Sequence, residues 1–496
     1  MKRGASQKAL TWDSAATEQW YHANIVNRWF WFMVTAAFAL ASYGFAAAQS
    51  PSPKQDLDRE FKAAVAQYES GKFAEAAKQL EPIVREIPNS FEVQELLGLV
   101  YAAQSLNTKA NGHLEKAVQL KPDSATAHTN FANNLLRLGK VALAEQHFKK
   151  AAALAPGDYD ANHNLGEFYA RSNKVTEAVP FLKRAQQIDP TSYDNGYDLS
   201  LAYLVTGRTA EARKLIHEIA ARRDTAELHN LLGQVEEKDG NFVAAANEFQ
   251  TAAHMEPSES NIFDWGCELL LHRTLEPAIE VFREGTKRFP DSSRMAIGFG
   301  MALYSLGKYD EAVKSLLRAT DLDPKDPRGY PFLSRAFGSS PIQADEVIER
   351  FRRFSELQPK NGQAVYYYAM SIWQGKRSQD PNLDLGPIEA LLKKAIALEP
   401  GLAEAHLQLA NLYSDQRKFA ESIPEYVRAR ELNPDLADAH YRLAQAYVHV
   451  GEKDLAQQEF KIYQQLNAEH LSDVDKQRAE VRQFVYSEKQ GAQAQP

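Results

Sequence analysis

The sequence predicts an all-α protein built as an array of about twelve helix-turn-helix repeats, each about 34 residues long. Two observations support this fold class. A proline recurs along the chain at a nearly fixed interval, and the residues between successive prolines carry the hydrophobic pattern of two short amphipathic helices. Because this pattern covers most of the chain, one extended array is favoured over several globular domains.

The recurring proline defines the period. Because proline cannot continue a helix, each one marks the end of a repeat. The stretch from Pro190 to Pro257 spans two periods, with the middle proline replaced near Asp224. The closing prolines are Pro88, Pro122, Pro156, Pro190, Pro257, Pro290, Pro324, Pro359, Pro400 and Pro434.

Residues Ser293–Asp326 show the hydrophobic pattern of one repeat most clearly. They divide into a first helix, a turn at Gly307 and a second helix that ends before Pro324. Within each helix, apolar residues recur three, four and seven positions apart, which is the spacing of one buried stripe. Small residues at Gly300 and Ala312 are expected to let the two helices approach closely.

The rest of the chain flanks this array. The last repeat of such an array exposes an apolar face, so a terminal helix that covers it is expected. The predicted order is a signal peptide or membrane anchor at 1–48, a linker at 49–56, the array at 57–470, a C-terminal capping helix at 471–487 and a disordered tail at 488–496.

The N-terminal segment has the features of an export signal. Lys2, Arg3, Lys8 and Arg28 precede an apolar run over residues 29–48, which ends in three alanines that signal peptidase could cleave. The run is also just long enough to span a bilayer. Two alternatives stay open: a soluble periplasmic protein cleaved near Ala48, or an inner-membrane protein anchored by residues 29–48. Either way, the array is expected outside the cytoplasm, because the positive charge stays inside.

Composition and motifs argue against several functions. The formal net charge of −8 disfavours nucleic acid as a partner, because phosphate binding needs a basic face. The single cysteine, Cys267, has no catalytic partners, and we find no zinc-protease, phosphate-loop or paired-cysteine motif. We therefore predict a protein that is not an enzyme, with no catalytic residues and no cofactor.

Histidine recurs at the fourth position of its repeat, at His128, His229, His406 and His440. These residues would lie on separate first helices, one repeat or more apart. Recurrence at a fixed position is typical of a structural role, so no metal site is predicted.

The repeat resembles the tetratricopeptide repeat family. The resemblance rests on sets such as Leu97, Gly98, Tyr101, Ala110, Leu114, Ala117 and Pro122, or Leu165, Gly166, Tyr169, Ala178, Leu182, Ala185 and Pro190. It implies a right-handed superhelical solenoid whose first helices line a concave groove. It also implies a non-catalytic scaffold that binds a protein or peptide partner in that groove.

In this family, the second, fifth, ninth, twelfth and thirteenth positions of each repeat form the inner wall. The resemblance therefore implies partner-binding residues at Tyr197, Leu201, Phe263, Ile297, Met301, Tyr304, Tyr366, Trp373 and Tyr441. The wall is largely apolar and aromatic, a composition usual for protein-binding surfaces. It does not match the family's chaperone-tail clamp, because Thr129 stands where a lysine belongs.

A second function stays open beside the scaffold. The array could recruit or regulate an enzyme, or it could bind a glycan or small ligand itself. Three consecutive tyrosines, Tyr366, Tyr367 and Tyr368, could stack on sugar rings. The sequence does not identify the partner or its pathway.

Overall fold

The computed structural model describes residues 53–377 and 383–469. Within these residues there are 24 α-helices and no β-strand, and consecutive helices form twelve helix-turn-helix pairs. The predicted all-α array of about twelve repeats is therefore confirmed. In each pair, the odd-numbered helix below is the first helix and the even-numbered helix is the second.

The described residues form two compact bodies that meet in sequence at Asp239 and Gly240. We call residues 53–239 the N-terminal body. Its helices are α1 (Pro53–Glu69), α2 (Phe73–Glu86), α3 (Phe91–Ala103), α4 (Asn107–Leu120), α5 (Ala125–Arg137), α6 (Val141–Leu154), α7 (Tyr159–Arg171), α8 (Val175–Ile188), α9 (Tyr193–Val205), α10 (Thr209–Ala220) and α11 (Ala226–Lys238).

The described residues from 240 onward form the C-terminal body. Its helices are α12 (Phe242–Met255), α13 (Glu259–Leu271), α14 (Leu275–Arg288), α15 (Ser293–Ser305), α16 (Tyr309–Leu322), α17 (Gly329–Ser339), α18 (Ala344–Leu357), α19 (Gly362–Arg377), α20 (Gly386–Leu398), α21 (Ala403–Asp415), α22 (Phe419–Leu432), α23 (Ala437–Val450) and α24 (Lys453–Glu469).

Most first helices begin at a side-chain cap. The capping oxygen accepts a hydrogen bond from the backbone N–H three residues later, which satisfies a donor that the helix itself leaves open. These distances are 2.8–3.4 Å. The capping residues are Ser90, Ser124, Asp158, Ser192, Thr225, Ser258 and Ser292.

In eleven of the twelve repeats within the described residues, the turn between the two helices contains one residue with left-handed backbone. It is the fifteenth residue from the start of the first helix, except in the first repeat, whose helix begins earlier. Six repeats place glycine there, with φ between 71° and 89°: Gly71, Gly139, Gly207, Gly240, Gly307 and Gly451. Five others hold Ser105, Asn173, Arg273, Gln343 or Arg417, at φ between 51° and 60°. A side chain in this conformation is strained, most of all when it is not asparagine.

The two helices of a repeat approach closely at a glycine in the eighth position. A Cβ atom on Gly166 would lie 2.7 Å from the Leu182 side chain, and one on Gly300 would lie 2.5 Å from Leu316. The predicted close approach at Gly300 is therefore present. Leu182 and Leu316 are fully buried, so this contact belongs to the core of each repeat.

Successive repeats are also joined through main-chain carbonyls. The Arg137 guanidinium donates to the carbonyl of Ala102 at 2.8 Å, and the Lys238 ammonium donates to that of Leu204 at 2.5 Å. In the C-terminal body, Arg353 donates to the carbonyl of Thr320 at 2.7 Å. The carbonyls of Ala102 and Leu204 also accept a backbone N–H from their own turns, so the side-chain bonds are additional links between successive repeats.

Several predicted segments lie outside the described residues: the signal or anchor at 1–48, the capping helix at 471–487 and the tail at 488–496. Helix α1 begins at Pro53, inside the predicted linker 49–56, and proline is well tolerated in a first turn. None of the helices between residues 53 and 377 or 383 and 469 has the length and hydropathy that a membrane crossing needs.

Candidate partner-binding surface

The nine predicted partner-binding residues all lie on first helices. We call the surface formed by these side chains and their neighbours on the first helices the first-helix face. Tyr197 and Leu201 are on α9, Phe263 is on α13, Ile297, Met301 and Tyr304 are on α15, Tyr366 and Trp373 are on α19, and Tyr441 is on α23. Only α9 belongs to the N-terminal body, so the two bodies are described separately.

Four of the nine residues are buried within the array. Phe263, Ile297 and Met301 are each 1% exposed, and Trp373 is 5% exposed. The Phe263 ring packs edge-on against Phe282, with centroids 5.8 Å apart, and the Arg294 guanidinium covers it at 4.4 Å. In this conformation, these side chains contribute mainly to packing between helices, and their contact with a partner stays a prediction.

The other five residues, Tyr197, Leu201, Tyr304, Tyr366 and Tyr441, are half-buried. Each tyrosine has an aromatic neighbour. The Tyr304 ring lies 5.6 Å from Tyr309, and the Tyr441 ring lies 5.0 Å from Tyr463. The Tyr441 hydroxyl also accepts a hydrogen bond from the Gln445 amide at 3.0 Å. These rings are accessible and fixed in place, as a preformed binding surface requires.

In the C-terminal body, the first-helix face contains a cavity of about 360 Å³. Its size is in the range of small-molecule and peptide sites. It lies across three successive first helices, α19, α21 and α23, and Trp373 and Met370 form its apolar part. The remaining lining residues are polar: Gln374, Gln408, Asn411, Asp415, Asp438 and Arg442.

Hydrogen bonds hold the amides of this cavity. The Tyr426 hydroxyl donates to Oδ1 of Asn411 at 2.7 Å, and the Asn411 amide donates to Oε1 of Gln408 at 3.2 Å. Oε1 of Gln374 is shielded from solvent and has no hydrogen-bond partner among the described residues. An unsatisfied buried acceptor of this kind is costly.

The sixth position of the repeat lines the cavity but is not among the inner-wall positions that the family resemblance implies. Gln408 and Arg442 stand at that position and line the cavity beside predicted Trp373. The inner-wall pattern was limited to the second, fifth, ninth, twelfth and thirteenth positions. Polar residues at the sixth position of two successive repeats were a usable signal, because no core role requires them there.

In the N-terminal body, the first-helix face is acidic. Half-buried carboxylates stand at Glu95, Glu167, Asp194 and Asp198. The pKa of Asp198 is raised to about 7, mainly by burial. His163 and Arg171 lower this pKa, and repulsion from Glu167 and Asp194 raises it. Burial raises the pKa of Glu95 to about 6, although the Asn130 amide donates a hydrogen bond to it at 3.1 Å.

The recurrent histidines make hydrogen bonds inside the repeats. Nδ1 of His128 lies 2.8 Å from Nδ1 of His147, and Nδ1 of His440 lies 2.6 Å from the Glu459 carboxylate. Nε2 of His440 lies 2.9 Å from the carbonyl of Pro434, one of the closing prolines. His406 and His229 pair with carboxylates at 2.6 Å and 3.1 Å. The histidine at the fourth position therefore links its first helix to the second helix of the repeat or to the loop before it.

The described residues contain no cluster of three or more histidine, cysteine, aspartate and glutamate side chains that could hold a metal ion. Cys267, also described, is buried in α13 at 1% exposure.

Comparison with known protein families decides the classification. Sequence models of the tetratricopeptide repeat match residues 61–125, 129–193 and 407–469, a second model matches 172–235, and a TPR repeat model matches 300–330. The chain belongs to the tetratricopeptide repeat family. Tetratricopeptide repeat folds are generally protein-interaction scaffolds. Among curated proteins, none matches this chain.

Three solved structures illustrate what the chain is similar to. Yeast Tom70 is 16% identical over 88% of this chain and 97% of Tom70, with a TM-score of 0.37. PilW, a type IV pilus biogenesis factor, is 22% identical over 41% of this chain and 94% of PilW, with a TM-score of 0.37. YrrB, a tetratricopeptide repeat protein with an unusual peptide-binding site, is 17% identical over 37% and 96% of the two chains, with a TM-score of 0.35.

Proposed function

We propose that this protein is a non-catalytic scaffold that binds an extended segment of a partner protein on the first-helix face of its C-terminal body. The cavity between α19, α21 and α23 is the observation that carries this proposal. It combines the exposed edges of two largely buried apolar side chains, Trp373 and Met370, with amides at Gln374, Gln408 and Asn411. This combination suits an extended peptide, whose side chains need apolar space and whose backbone needs hydrogen-bond partners.

A cavity-filling variant tests this proposal. Gln408→Trp places a bulky ring in the cavity from a half-buried position, so it should block binding without removing a core side chain. Asn164→Trp is the matched control, because Asn164 is a half-buried amide at the same sixth position in the N-terminal body. Both variants are expressed in native cells with a C-terminal tag, crosslinked and captured, and helicity is checked by circular dichroism.

The partner recovered with wild type should be lost from Gln408→Trp, by about tenfold or more, and retained by Asn164→Trp. Equal recovery by all three proteins would exclude the cavity as the binding site. Loss from both variants would place the contact outside the cavity or indicate a general loss of structure, which circular dichroism would reveal.

We further propose that the scaffold works in the bacterial envelope, outside the cytoplasm. The basic residues and apolar run of the segment 1–48 support this location. Sequencing the N-terminus of the protein from native cells tests it. A mature start at Gln49 supports a cleaved periplasmic protein, and an intact start in the membrane fraction supports an anchored one. An intact start in the cytoplasmic fraction would refute the envelope location.

A further inference from the structure

A second cavity, of about 580 Å³, lies beside the first in the C-terminal body. The two cavities share Asp415 and Arg442 as lining residues, so they are adjacent. The second cavity is formed by the end of α21, the turn after it, α22 and α23. Its lining residues are Ser414, Asp415, Arg417, Phe419, Tyr426, Arg442, Gln445, Ala446 and His449.

The charge of the lining differs between the two cavities. In the first, two carboxylates, Asp415 and Asp438, face one cation, Arg442. In the second, two guanidinium groups, Arg417 and Arg442, face one carboxylate, Asp415. A segment that lies across both therefore meets an apolar and amide surface at one end and an excess of positive charge at the other.

Both arginines are available to a ligand. No acidic side chain in the described part of the chain forms an ion pair with Arg417, which is exposed. Arg442 pairs with Asp438 at 3.4 Å, and both side chains are about half exposed. Such a pair contributes little stability, so a carboxylate from a partner can replace Asp438 at small cost.

The floor of the second cavity is fixed in place. The His449 ring stacks on Phe419 with centroids 4.0 Å apart and an angle of 9° between planes. The Tyr426 hydroxyl, which donates to Asn411, accepts a hydrogen bond from the Ser414 hydroxyl at 3.1 Å, and the Gln445 amide donates to the Tyr441 hydroxyl at 3.0 Å. These bonds hold the polar groups of the cavity in place. Preformed groups lose little entropy when a ligand binds.

We propose that the second cavity binds a carboxylate group of the same partner segment whose apolar side chain occupies the first cavity. This inference rests on the function proposed above and adds the chemistry of the partner. The segment carries a large apolar residue, and a carboxylate near it in sequence pairs with Arg417 and Arg442. An acidic side chain and a free C-terminal carboxylate offer the same chemistry, and the experiment below distinguishes them.

The test uses short random peptides selected on the full-length protein, with affinities then measured by fluorescence anisotropy. Each enriched peptide is compared with three matched peptides: one with Gln and Asn in place of Glu and Asp, one with an amidated C-terminus and one with Ala in place of its largest apolar residue. The protein variants are Arg417→Gly and Arg442→Gln. Arg273→Gly is the control, because Arg273 has the same repeat position and backbone conformation as Arg417 but does not line either cavity.

We expect enriched peptides to bind about tenfold more weakly when their carboxylate is removed, since ion pairs that are partly desolvated are strong. Loss through amidation identifies the C-terminal carboxylate, and loss through Gln or Asn identifies a side chain. Arg417→Gly and Arg442→Gln should each weaken binding about fivefold, and Arg273→Gly should not change it.

Three results have distinct meanings. If peptides lose affinity on Gln408→Trp but bind equally with and without a carboxylate, the carboxylate inference is wrong and the proposed function stands. If enriched peptides are basic, the carboxylate inference is likewise overturned. If no peptide is enriched, or Gln408→Trp has no effect on those that are, the proposed binding cavity itself fails.

Discussion

The first-helix faces of the two bodies have the same repeat geometry and opposite binding character. In the N-terminal body, the sixth position of α9 holds Asp198, a half-buried carboxylate beside Glu167 and Asp194. In the C-terminal body, the sixth positions of α21 and α23 hold Gln408 and Arg442, which line an open cavity. The carboxylate of the partner segment proposed for the second surface would be repelled by the carboxylates of the first.

Within one repeat, some positions are fixed by packing and others differ from repeat to repeat. The eighth and fifteenth positions are set by close packing and by the turn, so they are similar in both bodies. The second, sixth, ninth and thirteenth positions differ between repeats in residue type and in burial: at the ninth position Met301 is buried and Glu167 is half-buried. The same fold can therefore present unlike surfaces along one chain.

The largest expected effect tests whether both bodies depend on the same close packing of glycine against leucine between the two helices of a repeat. Gly166→Val and Gly300→Val each drive a branched side chain into a fully buried leucine, Leu182 or Leu316. Each should lower the free energy of unfolding of its own body by about 3 kcal/mol. Urea unfolding followed by circular dichroism measures the change. Gly157→Val is the control, because a Cβ on Gly157 meets nothing within 4 Å.

If Gly166→Val destabilises the protein and Gly300→Val does not, the two bodies do not depend on the same packing, and this prediction is wrong. Because each substitution acts on one body, separate unfolding transitions should shift separately.

The second prediction concerns only the acidic first-helix face of the N-terminal body. The pKa of Asp198 is raised from 3.8 to about 7, so the folded protein holds this proton more tightly than the unfolded chain does. Its contribution to stability is complete below about pH 4 and is lost as the pH rises through 7. Asp198→Asn should therefore match wild type at pH 4 and raise the free energy of unfolding by about 2 kcal/mol at pH 8.

Glu92→Gln provides the contrast on the same face. A hydrogen bond from its own backbone N–H lowers the pKa of Glu92, which Lys121 lowers further. Glu92→Gln should thus lower the free energy of unfolding at pH 8 relative to pH 4, by a few tenths of a kcal/mol. Thermal unfolding at the two pH values measures both variants. Equal pH dependence of wild type and Asp198→Asn would contradict the burial of that carboxylate.

The smallest expected effect separates backbone strain at two turns from the peptide binding proposed for Arg417. Arg273→Gly and Arg417→Gly both place glycine where φ is 59–60°, and both should raise the free energy of unfolding by about 0.5 kcal/mol. Only Arg417→Gly should also weaken the carboxylate peptides. Thermal unfolding and anisotropy on the same samples check the two effects. A gain in stability without any loss of peptide affinity in Arg417→Gly would mean that Arg417 serves the turn alone.

The fold could be predicted from the sequence because its signals are local and repeated. The proline that closes each repeat and the small residue at Gly300 each require one backbone geometry, and the structure has it. The binding surface was harder to predict. Position in a repeat shows which way a side chain points, but not how closely the next helix approaches it.

Phe263 and Trp373 illustrate this limit. Both stand at inner-wall positions, yet neighbouring side chains cover Phe263 almost completely, and Trp373 is only 5% exposed. Gln408 and Arg442, at the sixth position, became visible as lining residues only when three first helices were placed side by side. Contacts between repeats decide exposure, and a single repeat does not encode them.

The bonds between repeats have a consequence for how the gene can change. Arg137, Lys238 and Arg353 each donate to a main-chain carbonyl of the preceding repeat, at Ala102, Leu204 and Thr320. A carbonyl is present whatever the side chain, so a duplicated or exchanged repeat would find its acceptor already in place. Recombination in whole 34-residue steps could therefore lengthen the array, or replace one binding surface by another, without leaving a donor unpaired.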